Sequence, residues 1–595
     1  MPRKSIAVGN SSFIDLIREN FYYVDKTAAF RPLIESGNFV DLITRPRRFG
    51  KTLFMDSLKH FLAIDPTDPG NPEKQKSLFR GLKVLEDEAF CARFMGQVPI
   101  LFMSLKGVDA ATFEAAYLKL VPKIVEATKN HAYLLKSPRL DDDDKELLQR
   151  YRSLDFLRDP ANIDIAAGFL RNMLGFLARH FERQAMLFLD EYDVPLAKAA
   201  ARGYYTPMRD FFRSLLDPLK PEAGLIVNDR PVLQKAILTG CLRVSKESIF
   251  TDVNNFTINT VLSSNANLSA CMGFTEMEVG DLLDYYGLTS KKNLVKRWYD
   301  GYRFGASEIY SPWDVLSFCQ ALLGSDSSVD FKPGNYWIGT SSNEVIDEFL
   351  GFLTEDDAEK MQRLVDGGSI ETQINEELTY ADFARHKSED FWTLLLFTGY
   401  LTVEKPLGGR QYLLRIPNEE IRDTFESRVK ARFSQDNSVM AQHGVRFAQA
   451  AGEGNIGAMS EILEPLLRSY VSVRDAASRA PAENYYQGFL AALLACAGGR
   501  VQNFRANAEA GDGYADIVFV TGSGPERVGV VIELKRALRG QNVRTLMETA
   551  LRQIDERRYG DIFDEALCSR YYVYGIVFRG KNCLVGGGVL RNVLV

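Results

Sequence analysis

The sequence is short of the features that organise small secreted or metal-stapled proteins. Its seven cysteines (Cys91, Cys241, Cys271, Cys319, Cys496, Cys568 and Cys583) are scattered, with no Cys-x-x-Cys pair and no histidine at ligand spacing. That argues against a zinc site or a disulfide framework, and for reduced, mostly buried thiols in a cytosol. Five isolated histidines supply neither a His-Glu-x-x-His motif nor a His-centred catalytic set. Apolar runs such as Trp392 to Val403 and Phe489 to Cys496 fall short of the roughly 18 residues a membrane span needs, so no membrane partner is expected. The amino terminus carries two early cations without an apolar h-region, and no secretion signal is expected from it. A basic excess is missing too: the net charge is -6, so any nucleic-acid site must be local.

What is present is length and alternation. At 595 residues the chain is too long for one hydrophobic core. Short apolar runs at Phe39 to Thr44, Val98 to Leu105, Ala185 to Leu189 and Lys235 to Thr239 alternate with amphipathic stretches. This pattern predicts buried parallel strands and an α/β layer fold over residues 1–270. The acidic run Asp141 to Asp144 is expected in a solvated loop or at a helix start. Residues 271–478 are expected to form a helical or winged-helix-like middle region, with a capping box at Thr275 to Glu278 and aromatic turns such as Trp298-Tyr299-Asp300-Gly301-Tyr302. Residues 479–595 have the order helix, three strands, helix, strand, which predicts a small α/β unit.

The first apolar strand runs into Arg45-Pro46-Arg47-Arg48-Phe49-Gly50-Lys51-Thr52 and then a helical stretch. Such a loop sets backbone N–H groups and a positive helix end against a phosphate chain. Arg47, Arg48, Phe49 and Gly50 would line it, with Lys51 on the terminal phosphates of ATP and Thr52 on Mg2+. Arg45 stands where a full motif has glycine. The second element is Met186-Leu187-Phe188-Leu189-Asp190-Glu191, an apolar strand ending in two acids. Asp190 suits magnesium and Glu191 suits the water that attacks the γ-phosphate, although an Asp-Glu pair can also simply cap a helix. A later strand ends at Thr239, a polar sensor position, and Arg243 is either a further phosphate cation or a surface residue.

Near the carboxy terminus Asp516 and the Glu533-Leu534-Lys535 triplet stand out. Strand periodicity puts Glu533 and Lys535 on one face and Ile532 and Leu534 on the other. Two carboxylates on neighbouring strands can bind magnesium and lower the pKa of a bound water, with the lysine orienting it, which suits hydrolysis of a nucleic-acid backbone. A surface ladder of ion pairs is the plainer alternative. From Arg527 onward Lys and Arg outnumber Asp and Glu, a bias that fits phosphate attraction or an ordinary solvated helix face.

With these motifs laid out, the chain resembles the family that joins an AAA-ATPase-like domain to a PD-(D/E)XK nuclease-superfamily domain of the DUF1703 type. Ordered matches run over nearly its whole length, from Tyr22-Tyr23-Val24-Asp25-Lys26-Thr27 through Leu238-Thr239-Gly240, Lys246 to Phe250 and Tyr310-Ser311-Pro312-Trp313 to Ala550-Leu551-Arg552-Gln553-Ile554. The resemblance implies a P-loop NTPase parallel sheet, the middle region, and a restriction-endonuclease-like α/β domain. It further implies that the Arg45 loop is a family variant, that Tyr23, Asp25 and Lys26 help frame the nucleotide, and that Glu483 and Gln553 join the metal or phosphate site. Tyr514 and Ala515 depart from the family pattern, where an arginine and a proline are usual.

The expected function is ATP binding or hydrolysis that gates metal-dependent cleavage of DNA or RNA. The alternative is a nucleotide-controlled switch or scaffold without nuclease activity. ATP and Mg2+ are the expected cofactors, nucleic acid is the expected partner, a homo-oligomer is compatible with the sequence, and the expected location is cytoplasmic.

Overall fold

The computed structural model describes residues 3–593 apart from 221–225, 228, 244–255, 325–330, 332, 338–354, 379–387, 426–436, 471–482, 523, 539, 564–566 and 581. The segment Lys246 to Phe250 therefore lies outside the described residues. The chain divides into two compact units, Met1–Phe425 and Glu426–Val595. Among the described residues no helix is long and apolar enough to cross a membrane.

In the first unit five strands, β1 (Val40–Thr44), β2 (Ile100–Ser104), β3 (Ala185–Asp190), β4 (Leu233–Gly240) and β5 (Phe256–Asn259), form a parallel sheet of order β2-β3-β4-β1-β5. β1 and β3 are buried along their whole length, as a sheet covered on both faces requires. Helix α1 (Lys51–Leu62) follows β1 directly, and its buried Phe54, Met55, Leu58, Phe61 and Leu62 recur at helical spacing to form the stripe that docks on the sheet. Across the strands Asp41 and Lys235 form a buried ion pair at 2.8 Å, further held by Ser36 and Asn38. The acidic run starts a helix: Asp141 caps Asp142–Tyr151, and Asp144 pairs with Arg179 at 2.8 Å.

Residues beyond 270 belong to this unit too. Helix α2 (Glu276–Tyr286) opens with the expected capping box, Thr275 and Glu278 exchanging bonds with each other's backbone. It is followed by α3 (Lys292–Tyr299), the hairpin β6 (Tyr302–Phe304) and β7 (Ser307–Ile309), and α4 (Pro312–Leu323). A three-stranded sheet of β8 (Ile370–Gln373), β9 (Thr402–Gly408) and β10 (Gln411–Arg415) takes in α5 (Ser388–Thr398) between its strands. The middle is thus mainly helical, with small antiparallel sheets.

The second unit holds a five-stranded sheet in chain order, β11 (Val501–Ala510), β12 (Gly513–Thr521), β13 (Val528–Arg536), β14 (Arg570–Arg579) and β15 (Asn582–Asn592), in which only β13 and β14 run parallel. Helices α6 (Asn437–Gly452), α7 (Ile456–Tyr470) and α8 (Glu483–Ala495) cover one face through Phe447, Leu463, Leu490, Ile517 and Ile532. α9 (Val543–Glu556) packs on the other through Ile554 beside Val518 and Val531. Residues 437–470 therefore share a core with the sheet that follows 479. β15 was not apparent from hydropathy because it carries Gly586-Gly587-Gly588, and a Cβ at Gly586 would collide with Met547 of α9.

One buried pair sets a pH dependence. Asp314 and Glu420 are almost fully buried with their carboxyls against each other, and Glu420 accepts the Trp337 N–H at 2.8 Å. Burial, and for Glu420 next the charge of Asp314, raises both, Asp314 to about 6 and Glu420 to about 9. Both folded values lie above the ordinary carboxyl range of about 4, so this contribution to stability is complete below it and is lost as pH rises through about 9. Glu420→Gln keeps an acceptor for Trp337 and removes one titration. We expect wild-type unfolding midpoints to fall across that window and the variant's to fall less; equal slopes in a denaturant series would contradict it.

Candidate nucleotide and metal sites

Strand order brings the first site together. Because β4 lies between β1 and β3, the end of β4 and the start of the helix that follows β1 converge on the carboxylate at the tip of β3. Asp190 is fully buried; its Oδ2 accepts from Thr52 Oγ1 at 2.8 Å and Ser104 Oγ at 3.4 Å, and its Oδ1 accepts from Thr239 Oγ1 at 2.6 Å. The threonine after the loop, the acid at the strand tip and the polar strand end, far apart in sequence, thus form one hydrogen-bonded group. Glu191 follows in left-handed backbone, φ 52°. Burial and then Asp190 raise its carboxyl above the usual range, against the pull of Lys51. A carboxyl raised in this way suits a proton acceptor.

The loop itself is tightly turned, with φ of 71° at Arg48 and 84° at Gly50. Left-handed residues of this kind build the concave N–H arrays that hold phosphate. Lys51 is buried and its Nζ donates to the carbonyls of Arg45 at 3.0 Å and Pro46 at 2.9 Å, so its charge lies over the loop's own mouth. Arg47 lies beside Cys241 and Asp193. Arg243 follows β4, and its Nε is buried with no hydrogen-bond partner among the described residues.

Other sequence candidates make contacts within the fold. Asp25 accepts from Thr27 and from the Lys83 N–H at 2.7 Å, and Lys26 pairs with Glu278 at 2.6 Å and donates to Ala270. Both tie the amino-terminal segment to the fold. Tyr23 is partly buried against Phe13, with its hydroxyl at Ser57 of α1, and loss of solvent raises its pKa. Arg48 and Phe49 turn towards the middle region: Arg48 lies 3.7 Å over the Trp313 ring, and Phe49 stacks edge-on to Tyr302 at 4.9 Å. Arg45, at the usual glycine position, is buried and donates to the carbonyls of Thr44, Asn259 and Leu268. It ties β1 to β5.

In the second unit the register pairs Ile517 with Ile532, and its next step sets Asp516 across from Glu533. Asp516 Oδ2 accepts the N–H of Leu534 at 2.7 Å, which fixes the acid beside the Glu533 main chain. Glu533 is 2 % exposed and Lys535 Nζ reaches its Oε1 at 2.8 Å. Ile532 and Leu534 lie in the core under α6 to α8, as strand periodicity requires. Gln553 donates to the Tyr559 hydroxyl, and the Glu483 side chain lies outside the described residues. Sequence reasoning missed Gln487 and Asn507: Gln487 Nε2 donates to Asn507 Oδ1 and to the Asp516 carbonyl, both at 2.8 Å. The available signal was spacing, since Gln487 lies one helical turn beyond Glu483.

Among the described residues no three His, Cys, Asp or Glu side chains gather as a metal cage. Each site instead offers one or two carboxylates with hydroxyl or main-chain oxygens. Magnesium fits that donor set, because it keeps several waters and takes few protein ligands.

Thr239→Val removes a hydroxyl from a buried carboxylate without changing shape. We expect a loss of about 1.5–3 kcal/mol in unfolding free energy, read from denaturant midpoints at constant m-value, and Thr239→Ser to lose less. A midpoint unchanged in Thr239→Val would show that this bond contributes nothing.

Two family models match the chain. The family model described as predicted AAA-ATPase matches residues 7–250, and that of the PD-(D/E)XK nuclease superfamily matches residues 481–587. An uncharacterised protein in the vnfD 5′ region of Azotobacter chroococcum mcd 1 is 27% identical over 455 residues, 75% of this chain and 73% of that protein. The Walker-type ATPase PABY2304 of Pyrococcus abyssi superposes with a TM-score of 0.33 at 11% identity, covering 69% of this chain and 97% of that one. The chain thus carries, in one sequence, a predicted AAA-ATPase domain match over residues 7–250 and a PD-(D/E)XK nuclease-superfamily match over residues 481–587, the order of the expected fusion.

Proposed function

We propose that this protein binds and hydrolyses ATP in its first unit and thereby regulates Mg2+-dependent phosphodiester cleavage of nucleic acid by its second, in the cytoplasm. The observation that carries the nuclease half is Asp516, anchored on the Leu534 N–H across from a buried Glu533 whose carboxylate meets Lys535. Burying an acid is costly unless something binds it. On this reading Asp516 and Glu533 would hold the metal, which supplies a water of lowered pKa at the phosphodiester. Lys535 orients that water or balances charge gathering on the phosphate.

In the first unit Thr52 and Asp190 would hold the magnesium that accompanies ATP. Lys51 exchanges the Arg45 and Pro46 carbonyls for phosphate oxygens, and Glu191, with its raised carboxyl, accepts a proton from the attacking water. Arg47, Gly50, Thr239 and Arg243 complete the nucleotide's surroundings. The domain limits expected from the sequence are 1–270, 271–478 and 479–595, and we propose moving the last boundary back to about 426, because residues 437–470 share the core of the second unit.

The test is cleavage of labelled DNA and RNA, single- and double-stranded, with Mg2+ and with or without ATP. We expect Glu533→Gln to lower cleavage at least about 100-fold, several kcal/mol of lost transition-state stabilisation, and Lys51→Ala to abolish the response to ATP while leaving any ATP-independent cutting. Cleavage indifferent to Glu533→Gln would defeat the nuclease half. A response to ATP that survives Lys51→Ala would defeat the regulatory half.

A further inference from the structure

The phosphate loop is held from outside the ATPase sheet. Phe49 is fully buried between Tyr302 at 4.9 Å and Phe304 at 5.1 Å, and its carbonyl accepts the Gly273 N–H at 2.9 Å. The Arg48 guanidinium lies 3.7 Å over the Trp313 ring and donates from Nη1 to the Tyr336 carbonyl at 2.7 Å. Pro46 lies against Gly399, where a Cβ would come within 2.9 Å of its ring. Glu420 grips the next peptide along, accepting the Trp337 N–H at 2.8 Å. All of these partners lie beyond residue 270, in the elements and connecting turns of the middle region.

We infer that the middle region completes the nucleotide site, with Trp313 and Tyr302 acting as positioning residues that set the phosphate loop through Arg48 and Phe49. The inference rests on the ATP-binding reading above and deepens it. Phe49 is buried among rings of the middle region and Arg48 is stacked on the partly buried Trp313, so both side chains serve the loop's shape. Their backbone still contributes N–H groups.

The physical consequence concerns Lys51. Its Nζ is bonded to the carbonyls of Arg45 and Pro46, so a phosphate that takes Lys51 withdraws two bonds from the loop stretch whose far side meets Gly399. Any shift of Pro46 or of the Arg48–Phe49 turn must be accommodated by Trp313, Tyr302 and the Tyr336–Trp337 peptide. Coupling of this kind is reciprocal: if nucleotide stabilises the middle region's grip, the grip raises nucleotide affinity by the same factor.

The experiment uses the full chain with ATP and Mg2+, measuring ATP affinity by calorimetric titration and amide hydrogen exchange of peptides spanning 298–304 and 311–323. Trp313→Gln is expected to weaken ATP about 5- to 30-fold, the range a partly desolvated cation–π contact spans, whereas Trp313→Phe, which keeps a ring under Arg48, recovers most of it. ATP is expected to slow exchange in both peptides of the wild type and to lose that effect in Trp313→Gln. Should Trp313→Gln not fold, Arg48→Lys, which keeps the charge but not the planar stack, is expected to show the same uncoupling of exchange. Wild-type ATP binding with no change in exchange, or Trp313→Gln binding ATP as tightly as wild type, would overturn the inference alone. A wild type that does not bind ATP would remove the reading beneath it.

Discussion

The first unit depends on one buried carboxylate. Asp190 can lie in the interior because Thr52, Thr239 and Ser104 donate hydroxyls to it. Its donors come from α1, β4 and β2, so satisfying one acid fixes the relative placement of four elements. The parallel order β2-β3-β4-β1-β5 makes this geometry available, since β4 sits between the strand that feeds the loop and the strand that carries the acid. The group that would bind metal is also the group that holds the site's elements together.

The second unit solves a similar problem with main chain. Asp516 accepts the N–H of Leu534, and Gln487 from α8 donates to the Asp516 carbonyl, so side chain and backbone of that one residue are both held. Glu533 is buried at the end of a strand whose neighbouring residues are core, and Lys535 on the same side of the strand meets its carboxylate. The two units therefore share a physical theme, acids stabilised in place by fixed donors, on unrelated sheet topologies.

Much of this was legible in the sequence. The four expected strands of the first unit appear as strands because each is a short, mostly buried apolar run, and Asp190 and Thr239 fall at their tips. Tertiary choices were not legible. Arg45 looked like a damaged loop position, but its guanidinium is directed to carbonyls of β5 and Leu268, contacts more than 200 residues away in the chain. Asp25 and Lys26, which the resemblance places beside the nucleotide, also make contacts no pattern announces, with the Lys83 N–H, the Ala270 carbonyl and Glu278. Arg48 and Phe49 lie in the motif, but only the packing reveals that their side chains belong to the middle region. β15 escaped notice because its glycines, needed for close approach of α9, erase the alternation by which strands are read.

The central claim is that two separate groups of oxygen donors each gather a divalent cation. The most direct measurement is anomalous diffraction from crystals grown with Mn2+ and a non-hydrolysable ATP analogue. The account predicts one peak within coordination distance of Thr52 and Asp190 and another at Asp516 and Glu533, with Lys51 drawn from the Arg45 and Pro46 carbonyls onto phosphate. Peaks confined to other residues, or nucleotide density away from Lys51, would contradict it.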